Sequence, residues 1–419
     1  MPVIRNFEDA RDELKKFYNQ PGSNTYTLDR MRQLVEYLGN PQEKLKIIHV
    51  AGTSGKSSTS YYASALLSAA GCKVGLTVSP HVVDINERVQ INNVPMPEND
   101  FCESLGTFID KVNASAITPS YFELMIAFAF TEFVRQNVDY AVIEVGLGGL
   151  IDGTNVIARE DKISIITDIG YDHTNILGNT LHEIATQKAG IIMPGNHVFT
   201  YIQATEISDV IRAVCHQKTA QLHELHAPEQ IQPELSELPK FQQRNFYLAE
   251  QAVDFVLQRD GHGSLSNDQL AKAAKFQVPG RMQIIDYKGK TLVLDGAHNG
   301  QKMAALIDSM QAKYPDKPVA ALVSFVQNRD ERWQHALDEL KPYVTHIIAT
   351  SFDLGADDMP KKSMPADAIA AYLQNIGANY EIEPRLSDAV KKLLNSPEPV
   401  LLVTGSLYPI GLVEHLLQN

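Results

Sequence analysis

The chain has 419 residues, a hydrophobic content of 44% and a formal net charge of −13. This length predicts about two or three domains with substantial cores. The negative charge argues against nucleic-acid or anionic-membrane partners, because their binding surfaces need clustered positive charge. No apolar run reaches the roughly 18 residues of a membrane span, and the start is not basic-then-apolar, so we expect a soluble cytoplasmic protein. Cys72, Cys102 and Cys215 are far apart, which argues against a disulfide framework or a zinc site.

The N-terminal part of the chain alternates helical and strand patterns. Hydrophobic spacing predicts helices over residues 6–18, 27–38, 61–70, 98–112, 121–136 and 180–188, and strands over 46–50, 73–78, 140–145 and 162–167. Each of these strands ends in small, polar or glycine residues. Such an alternation is typical of an open parallel α/β sheet, which binds ligands beyond the carboxyl ends of its strands.

The rest of the chain predicts a second, smaller α/β domain. Residues 221–240, which include Pro228, Pro233 and Pro239, are interpreted as a surface excursion, and a helix is expected over 243–260. Beyond Arg281 the pattern favours strands over residues 282–286, 291–295, 319–325, 346–350 and 400–404. We therefore predict a parallel-sheet N-terminal domain over residues 1–281 and a C-terminal domain over residues 282–419.

The stretch from His49 to Ser58 reads His-Val-Ala-Gly-Thr-Ser-Gly-Lys-Ser-Ser and lies between a predicted strand and a predicted helix. A strand, a glycine loop and a helix in this order are typical of phosphate binding, because backbone N–H groups and the helix N-terminus face the anion. Lys56 would neutralise phosphate charge, and the hydroxyl of Ser57 could reach a magnesium ion. Val50 stands where the strict P-loop pattern has its first glycine, so a plain strand-to-helix turn stays open as an alternative.

Three candidate metal ligands, Ser79, Glu144 and His173, each follow a predicted strand of the same sheet. Strand order could bring them near the glycine loop, and hard oxygen ligands suit magnesium, which keeps several waters. Taken alone, Glu144 could be a solvated acid at a strand end and His173 a capping residue. Lys188 ends a short predicted helix and could lie at the same edge, where it would neutralise phosphate or be modified; otherwise it is a solvated charge.

A second group of polar residues lies near or beyond the predicted domain boundary. Arg281 precedes the first C-terminal strand, and the segment Asp295-Gly296-Ala297-His298-Asn299 follows the second. Together with Asn245, these residues could close over a nucleotide in a cleft between the domains. The planar guanidinium of Arg281 suits phosphate oxygens, although each of these residues alone could equally be structural.

A series of short motifs in a fixed order is more specific than any one of them. The motifs are Leu38 to Pro41, Gly52 to Ser57, Ser79 to His81, Glu144 to Gly149, Asp152 to Asn155, Asp172 to Gly178, Lys188 to Ile191, Asp295 to Asn299 and Thr404 to Ser406. Together they resemble the folylpolyglutamate synthase and bifunctional dihydrofolate synthase family of the Mur ligase superfamily, over nearly the whole chain. The resemblance implies an α/β protein with a P-loop-containing parallel-sheet ATPase domain, a smaller Rossmann-like C-terminal domain, and an active site in the interdomain cleft.

The resemblance also implies an ATP-dependent ligase that joins L-glutamate to the carboxylate of a folate or of dihydropteroate through an acyl phosphate. A carboxylate and an ammonium do not condense unaided at neutral pH, so the carboxylate must first receive a phosphate leaving group. The implied partners are ATP, L-glutamate and a folate or dihydropteroate, with Mg²⁺ as the cofactor. We expect the protein to be a monomer.

Each candidate residue takes a role from the same resemblance. ATP would contact Gly52, Thr53, Ser54, Gly55, Lys56, Ser57, Ser58, Asn245, Arg281, Asp295 and His298. Magnesium would be bound by Ser57, Ser79, Glu144 and His173, and the pterin ring would contact Ser120, Phe122 and Asp152. Lys188 matches a lysine that is often carbamylated in the family, so the implied catalytic group is Lys56, Glu144, His173 and Lys188.

The sequence departs from the family pattern at a few positions. Ser54 replaces a usual asparagine, Ser57 a usual glycine or threonine, and Gln187 a common glutamate. These changes keep a small polar loop. The segment Leu150-Ile151-Asp152-Gly153 stands where many bifunctional members have arginine, leucine, aspartate and alanine. The missing arginine leaves open whether dihydropteroate, folates or both are accepted.

Two other functions stay open at this point. A Mur-type ligase of cell-wall precursors carries a separate N-terminal domain for the UDP-sugar, for which the residues before His49 leave too little space. A non-catalytic nucleotide-dependent switch could use the same glycine loop and metal ligands. Such a switch would have no reason to keep the segment from Asp295 to Asn299 and a second α/β domain.

Overall fold

The computed structural model describes residues 4–18, 27–227, 232–327, 331–354 and 361–418. The chain divides into two compact units: Met1–His81 with Ile85–Phe276, called unit 1, and Val82–Asp84 with Gln277–Asn419, called unit 2. Each unit is built on a mainly parallel sheet with helices, which confirms the predicted α/β class. The functional boundary at Arg281 stays a prediction. Among the described residues, no helix combines the length and the apolar character needed to cross a bilayer.

Unit 1 contains most of the secondary structure. Its helices in the described residues are α1 (Phe7–Lys15), α2 (Asp29–Tyr37), α3 (Lys56–Ala69), α4 (Glu98–Asn113), α5 (Tyr121–Arg135), α6 (Thr174–Leu177), α7 (Leu181–Ala189), α8 (Thr205–Gln217), α9 (Lys240–Arg259) and α10 (Asn267–Ala274). Its strands are β1 (Ile47–Ala51), β2 (Val74–Thr77), β3 (Gln90–Ile91), β4 (Val94–Pro95), β5 (Tyr140–Glu144), β6 (Ile163–Ile166), β7 (His197–Tyr201) and β8 (Gln221–Leu225).

The described strands of unit 1 form one sheet in the order β4-β3-β2-β5-β1-β6-β7-β8. The six neighbouring strands β2, β5, β1, β6, β7 and β8 pair in parallel. The strands β3 and β4 add antiparallel pairing at the edge next to β2. Every residue of β1 is buried, as expected for the central strand of a parallel sheet. Because β1 lies between β5 and β6, the segments that follow these three strands meet at one edge of the sheet.

Local sequence fixes where the helices around this edge begin. A capping box joins Ser120 to Glu123 at the start of α5, and another joins Thr180 to Glu183 at the start of α7. The body of α5 is apolar, and Phe128 is fully buried in the core of unit 1. Replacing such a phenylalanine by alanine costs about 3–5 kcal/mol, so this packing holds α5 and its first turn in place.

The predicted surface excursion over residues 221–240 is wrong in part. Residues Gln221–Leu225 form β8, an edge strand that pairs with β7, and the sequence analysis predicted neither strand. Three of the five residues of β8 are polar and none is fully buried, so the strand lacks the apolar run that marks a central strand. Pro233 begins a short 3₁₀ helix, Pro233–Leu235, whereas Pro228 lies outside the described residues.

Unit 2 is a smaller α/β unit. Its described strands are β9 (Gln283–Tyr287), β10 (Lys290–Leu294), β11 (Val319–Val323), β12 (His346–Ser351), β13 (Asp353–Leu354), β14 (Lys361–Lys362), β15 (Tyr380–Arg385) and β16 (Val400–Thr404). Its described helices are α11 (Gly300–Lys313), α12 (Arg332–Leu340), α13 (Ala366–Asn375), α14 (Leu386–Asn395) and α15 (Tyr408–Gln418).

The main sheet of unit 2 has, in the described residues, the order β15-β12-β11-β16-β10-β9. Its strands are parallel except for β9, which forms an antiparallel hairpin with β10. The hairpin turns at Lys288 and Gly289, whose φ angles are 51° and 80°. Positive φ at both central residues matches the twist of the flanking strands. A separate antiparallel pair joins β13 to β14.

Candidate active site

The glycine loop joins the end of β1 to the start of α3. Gly55 has a φ of 88° and caps α3, which begins at Lys56. A side chain at Gly55 would overlap the amide of Asn245 on α9, so the loop needs glycine here both for its backbone angle and for space. The structure therefore brings the predicted nucleotide residue Asn245 against the predicted phosphate loop.

Residues that follow β6 hold the glycine loop in place. The backbone N–H groups of Thr53 and Ser54 donate to the carbonyl of Asp168 at 2.8 and 3.2 Å. The hydroxyl of Thr167 donates to the carbonyl of Ser54 at 2.7 Å. On the other side, the Asp168 carboxylate forms an ion pair with Arg244 at 2.7 Å. These bonds fix the shape of the loop before any ligand binds.

Ser57, Glu144 and Ser79 form one hydrogen-bonded group. The hydroxyl of Ser57 donates to one carboxylate oxygen of Glu144 at 2.9 Å, and the backbone N–H of Ser79 donates to the other at 3.1 Å. The sheet explains this meeting, because Val50 of β1 pairs with Glu144 of β5, and β5 pairs in turn with β2. Three residues that are far apart in sequence thus lie side by side at the first turn of α3.

His173 lies on a more exposed segment. It caps the short helix α6 with a φ of 47°, and its side chain is 51% exposed. The imidazole lies 3.9 Å from the carboxylate of Asp172. The structure thus places His173 after β6, as the sequence predicts, but on a segment that is exposed to solvent.

Lys188 lies at the same edge of the sheet, near the end of α7. Its ammonium group is buried and donates to the carbonyl of Gly52 at 2.8 Å. Burial, together with the nearby charge of Lys56, lowers the pKa of Lys188 to about 7. At neutral pH a large fraction of this side chain is therefore the uncharged, nucleophilic amine.

The predicted pterin residues lie beside the segment that follows β5. Asp152 is buried, and its carboxylate accepts from the N–H of Leu147 at 2.8 Å and from the hydroxyl of Thr154 at 2.6 Å. Burial raises the pKa of Asp152 above its ordinary value. A side chain at Gly146 would overlap the ring of Phe122 and would lie 3.2 Å from the Asp152 carboxylate, so the ring and the carboxylate are neighbours.

Ser120 has a different environment from the other two pterin candidates. Its hydroxyl and its backbone N–H both donate to the carboxylate of Glu123, at 2.8 and 2.7 Å. Glu123 in turn forms an ion pair with Arg30 at 2.6 Å. The structure therefore shows Ser120 as the cap of α5.

The predicted nucleotide residues of unit 2 also lie together. Asp295 is buried, and its carboxylate accepts from the N–H groups of Met282 and Ala297 at 2.7 and 2.8 Å. Burial raises the pKa of Asp295, although the nearby charge of Arg281 acts against the shift. The ring of His298 lies 2.8 Å from the carbonyl of Gly296. Arg281, Asp295 and His298 thus surround one turn of unit 2.

The residues around Ser57 are chemically suited to a divalent cation. In the described part of the chain, no three histidine, cysteine or acidic side chains are grouped so as to hold a metal ion by themselves. The hydroxyl of Ser57 and the carboxylate of Glu144 are nevertheless hard oxygen ligands. Magnesium is typically bound by one or two carboxylates together with substrate phosphates, so the donor set fits it.

Four residues at this edge were not predicted as functional. Thr167 and Asp168 shape the glycine loop, and Thr154 with the buried His49 contacts the Asp152 region. Thr167 and Asp168 could have been found from their position directly after a strand of the sheet. The contacts of His49 give no such signal, because a histidine within a buried strand is usually only a core residue.

Two family models cover most of the chain. A Mur ligase middle domain matches residues 50–258, and a Mur ligase glutamate ligase domain matches residues 280–407. The fold and the glycine-loop site therefore define the class of the protein, which is an ATP-dependent ligase of the Mur ligase type.

Full-length relatives narrow this class. The dihydrofolate synthase/folylpolyglutamate synthase of Bacillus subtilis is 31% identical to this chain, over 97% of this chain and 97% of its own length. The dihydrofolate synthetase of Saccharomyces cerevisiae is 30% identical, over 92% of this chain and 96% of its own length. The chain belongs to the dihydrofolate synthase/folylpolyglutamate synthase family.

Solved structures share the same fold. Mycobacterium tuberculosis folylpolyglutamate synthase complexed with ADP and AMPPCP has a TM-score of 0.82 at 24% identity, covering 99% of this chain and 98% of that chain. A bifunctional folylpolyglutamate synthase/dihydrofolate synthase of Yersinia pestis complexed with AMPPNP and Mn ion has a TM-score of 0.82 at 23% identity, covering 100% of both chains. These matches confirm the predicted Mur ligase architecture.

Proposed function

We propose that this ligase adds L-glutamate to the carboxylate of a folate, and also to dihydropteroate, with cleavage of ATP to ADP and phosphate. The observation that supports the proposal most directly is the group formed by Ser57, Glu144 and Ser79 at the first turn of α3, next to Lys56. A strand, a shaped glycine loop and a helix in this order are suited to bind phosphate. The carboxylate and the hydroxyl beside them suit the metal ion that accompanies a nucleoside triphosphate.

The reaction has two steps. A carboxylate oxygen of the acceptor attacks the γ-phosphorus of ATP, so that an acyl phosphate forms and ADP leaves. The amine nitrogen of glutamate then attacks the acyl carbon, the carbon–oxygen bond to phosphate breaks, and the nitrogen loses a proton. The protein mainly has to position the reactants and neutralise charge.

The residues of unit 1 divide this work among them. The N–H groups from Gly55 to Ser58, at the start of α3, bind phosphate oxygens, whereas those of Thr53 and Ser54 donate to Asp168 and hold the loop. Lys56 supplies a positive charge to the transferred group. Ser57, Ser79, Glu144 and His173 would hold Mg²⁺. When bound, this ion neutralises negative charge on the phosphates. Asn245 contacts the nucleotide from α9.

Lys188 is proposed to be carbamylated. Its buried amine has a pKa of about 7, so the uncharged form is available to attack carbon dioxide. A nitrogen–carbon bond forms, one proton leaves, and the product is a carboxylate-like group at the phosphate edge. ¹³C-bicarbonate should give a carbamate signal in the NMR spectrum of the protein, and this signal should be absent from the Lys188→Gln variant.

The other residue groups are assigned to the remaining parts of the substrates. In unit 2, Arg281, Asp295 and His298 are proposed to contact the nucleotide. In unit 1, Phe122 and Asp152 are proposed to contact the pterin ring, with Ser120 at the start of α5. The relatives in Bacillus subtilis and Saccharomyces cerevisiae are both named for dihydrofolate synthesis, which supports dihydropteroate as an acceptor although Leu150 replaces the usual arginine. We further propose a monomer that acts in the cytoplasm.

One assay tests the proposal. Purified protein is incubated with ATP, Mg²⁺ and L-glutamate, with either dihydropteroate or a reduced folate monoglutamate, and ADP release and product masses are followed. We expect ADP release to require the acceptor and the product to gain one glutamyl unit. If neither acceptor stimulates ADP release, the proposed function is wrong. A cell-wall nucleotide precursor as the sole active acceptor would instead indicate a Mur-type ligase.

A further inference from the structure

His49 is a buried titratable residue to which the proposed mechanism gives no role. It belongs to the central strand β1 and is fully buried. Its Nε2 atom lies 2.9 Å from the hydroxyl oxygen of Thr154. Within the described part of the chain, Nδ1 of His49 has no hydrogen-bond partner. All the observed hydrogen bonding of this imidazole is therefore directed at Thr154.

The hydroxyl of Thr154 fixes the direction of this hydrogen bond. A threonine hydroxyl has one proton, and Thr154 lies 2.6 Å from a carboxylate oxygen of Asp152, to which it donates. The Thr154 oxygen must therefore accept a proton from His49. Burial, together with the charge of Lys162, lowers the pKa of His49 well below its ordinary value, so the ring is neutral. Its one proton is assigned to Nε2 by this network.

The network continues to both oxygens of Asp152. One oxygen accepts from the hydroxyl and from the N–H of Thr154, at 2.6 and 3.0 Å. The other accepts from the N–H of Leu147 at 2.8 Å and lies on the side of Gly146, where the ring of Phe122 is a neighbour. His49, Thr154 and Asp152 thus form a directed chain of hydrogen bonds that runs from the middle of the sheet to the pterin side of the site.

We propose that His49 is a positioning residue for the acceptor substrate: by donating to Thr154, it holds the Asp152 carboxylate in one orientation as an acceptor for ring N–H groups. The inference rests on the proposed function, because it takes Asp152 as a contact of the heterocycle. A fused pyrimidinone with an amino group presents adjacent N–H donors, and a fixed carboxylate binds such donors by charge-assisted hydrogen bonds. Loss of the His49 donor weakens the Thr154 to Asp152 bond and loosens this orientation.

The charge balance around Asp152 makes this support measurable. Burial favours the neutral carboxyl, whereas the hydrogen bonds from Thr154 and Leu147 and the nearby charge of Lys56 favour the carboxylate. Lys188 also interacts electrostatically with Asp152, and Lys162 with His49. Losing the His49 donor weakens one of the bonds that favour the carboxylate. The acidic limb of the pH profile of kcat/KM for the acceptor should therefore move to higher pH.

Matched substitutions separate positioning from packing. In His49→Gln the side-chain nitrogen can replace Nε2 and still reach Thr154, whereas in His49→Asn it replaces Nδ1 and cannot. We expect His49→Asn to raise the KM for the pterin acceptor about 5-fold, which corresponds to one lost hydrogen bond, with the KM for ATP and kcat unchanged. His49→Gln should restore the acceptor KM to within about twofold of the wild type.

A double-mutant cycle tests whether His49 acts through Thr154. Thr154→Val removes the hydroxyl and should raise the acceptor KM, whereas Thr154→Ser keeps the hydroxyl and should not. On the Thr154→Val background, His49→Asn should have no further effect, because the bond it affects is already gone. If His49→Asn does not fold, the comparison of Thr154→Val with Thr154→Ser decides the question. A wild-type acceptor KM in Thr154→Val overturns the inference.

Two further outcomes would also overturn it. Additive effects of the two substitutions would show that His49 does not act through Thr154. An equal rise in the KM for ATP would show that the substitution disturbs β1 and the glycine loop instead.

The result for the wild type distinguishes failure of this inference from failure of the proposed function. If the wild-type protein shows no dependence on a pterin acceptor, the proposed function fails; if it does and His49→Asn behaves like the wild type, only the role of His49 fails.

Discussion

A buried carboxylate lies at the end of one strand in the main sheet of each unit, and these two carboxylates have different hydrogen-bond partners. Glu144 ends β5 of unit 1 and accepts from the hydroxyl of Ser57 and from the N–H of Ser79. Asp295 follows β10 of unit 2 and accepts from two backbone N–H groups, those of Met282 and Ala297. Both carboxylates lie at or just beyond the carboxyl end of a strand, but among the described hydrogen bonds only Glu144 accepts one from a side chain.

The difference indicates separate tasks. A hydroxyl can rotate and give its proton to another acceptor, so Ser57 and Glu144 can exchange their mutual bond for contacts with a metal ion. Backbone N–H groups are fixed by the chain, so the bonds of Asp295 hold the turn beside Arg281 and His298 in one shape. We infer that the edge of unit 1 is suited to phosphoryl transfer. The edge of unit 2 instead presents a preformed turn.

The largest effect is expected at Lys56. Lys56→Ala removes the positive charge that is proposed to act on the transferred phosphoryl group, so acceptor-dependent ADP release should fall by at least about 100-fold in kcat. The matched substitution in unit 2, Arg281→Ala, removes a proposed contact with the nucleotide and should raise the KM for ATP by about 10-fold with a smaller change in kcat. Steady-state kinetics on both variants checks this contrast. Near-normal turnover of Lys56→Ala would remove the assigned role of Lys56.

Gly55→Ala should have the next largest effect. A side chain at Gly55 combines a left-handed backbone angle with overlap of the Asn245 amide. We expect Gly55→Ala to weaken ATP binding by about 2 kcal/mol, which corresponds to a rise of about 30-fold in the KM for ATP. Gly71→Ala is the control, because its φ is 91° but nothing lies within 4 Å of the added carbon. Gly71→Ala should cost only about 1 kcal/mol of stability and leave ATP binding unchanged, and equal effects of the two variants would contradict the argument.

Glu144→Gln tests the comparison between the two carboxylates directly. The amide keeps the shape of the side chain but loses the charge, so the concentration of Mg²⁺ needed for half-maximal activity should rise about 10-fold. Asp295→Asn should leave the metal requirement unchanged and instead destabilise unit 2, because one backbone N–H would face an amide NH₂. Metal titrations of both variants distinguish the two roles. A shifted metal requirement in Asp295→Asn alone would reverse the assignment.

The sequence predicted the parts of the site that depend on short motifs. The glycine loop, the position of Lys188 near the end of α7 and the strand-end positions of Ser79 and Glu144 follow from local patterns and from the geometry of a parallel sheet. The position of Thr167 and Asp168 directly after a strand could have marked them as candidates, but their bonds to the backbone of Thr53 and Ser54 are long-range contacts that the sequence does not show.

Two other features were beyond the reach of the sequence for different reasons. The edge strand β8 is partly exposed and three of its five residues are polar, so its sequence resembles that of a loop. His49 lies in a strand of buried residues, and its bond to Thr154 depends on which strands are neighbours. The meeting of the residue groups of the two units in a cleft stays a prediction.

The smallest effect concerns the buried cations of unit 1 and the buried acid of unit 2. Burial lowers the pKa of Lys162 from 10.5 to about 7, so between these values the unfolded chain binds a proton that the folded chain has lost. The free energy of unfolding should therefore rise with pH in this window, and Lys188 acts in the same direction. Asp295 acts in the opposite direction, because its raised pKa makes stability fall as pH rises through the acidic range.

Lys162→Met should reduce this rise. The variant loses the bonds from Lys162 to the carbonyls of Ile157 and Ile191 but also loses the buried titrating amine. Between about pH 8 and about pH 9, the increase in the free energy of unfolding should shrink by on the order of 1 kcal/mol relative to the wild type. Urea unfolding followed by circular dichroism measures the change. The fluorescence of Trp333, which belongs to unit 2, serves as the control, because the substituted residue belongs to unit 1. An unchanged pH dependence in the variant would show that Lys162 does not titrate in this range, and the contrast between the buried groups of the two units would then rest on Lys188 and Asp295 alone.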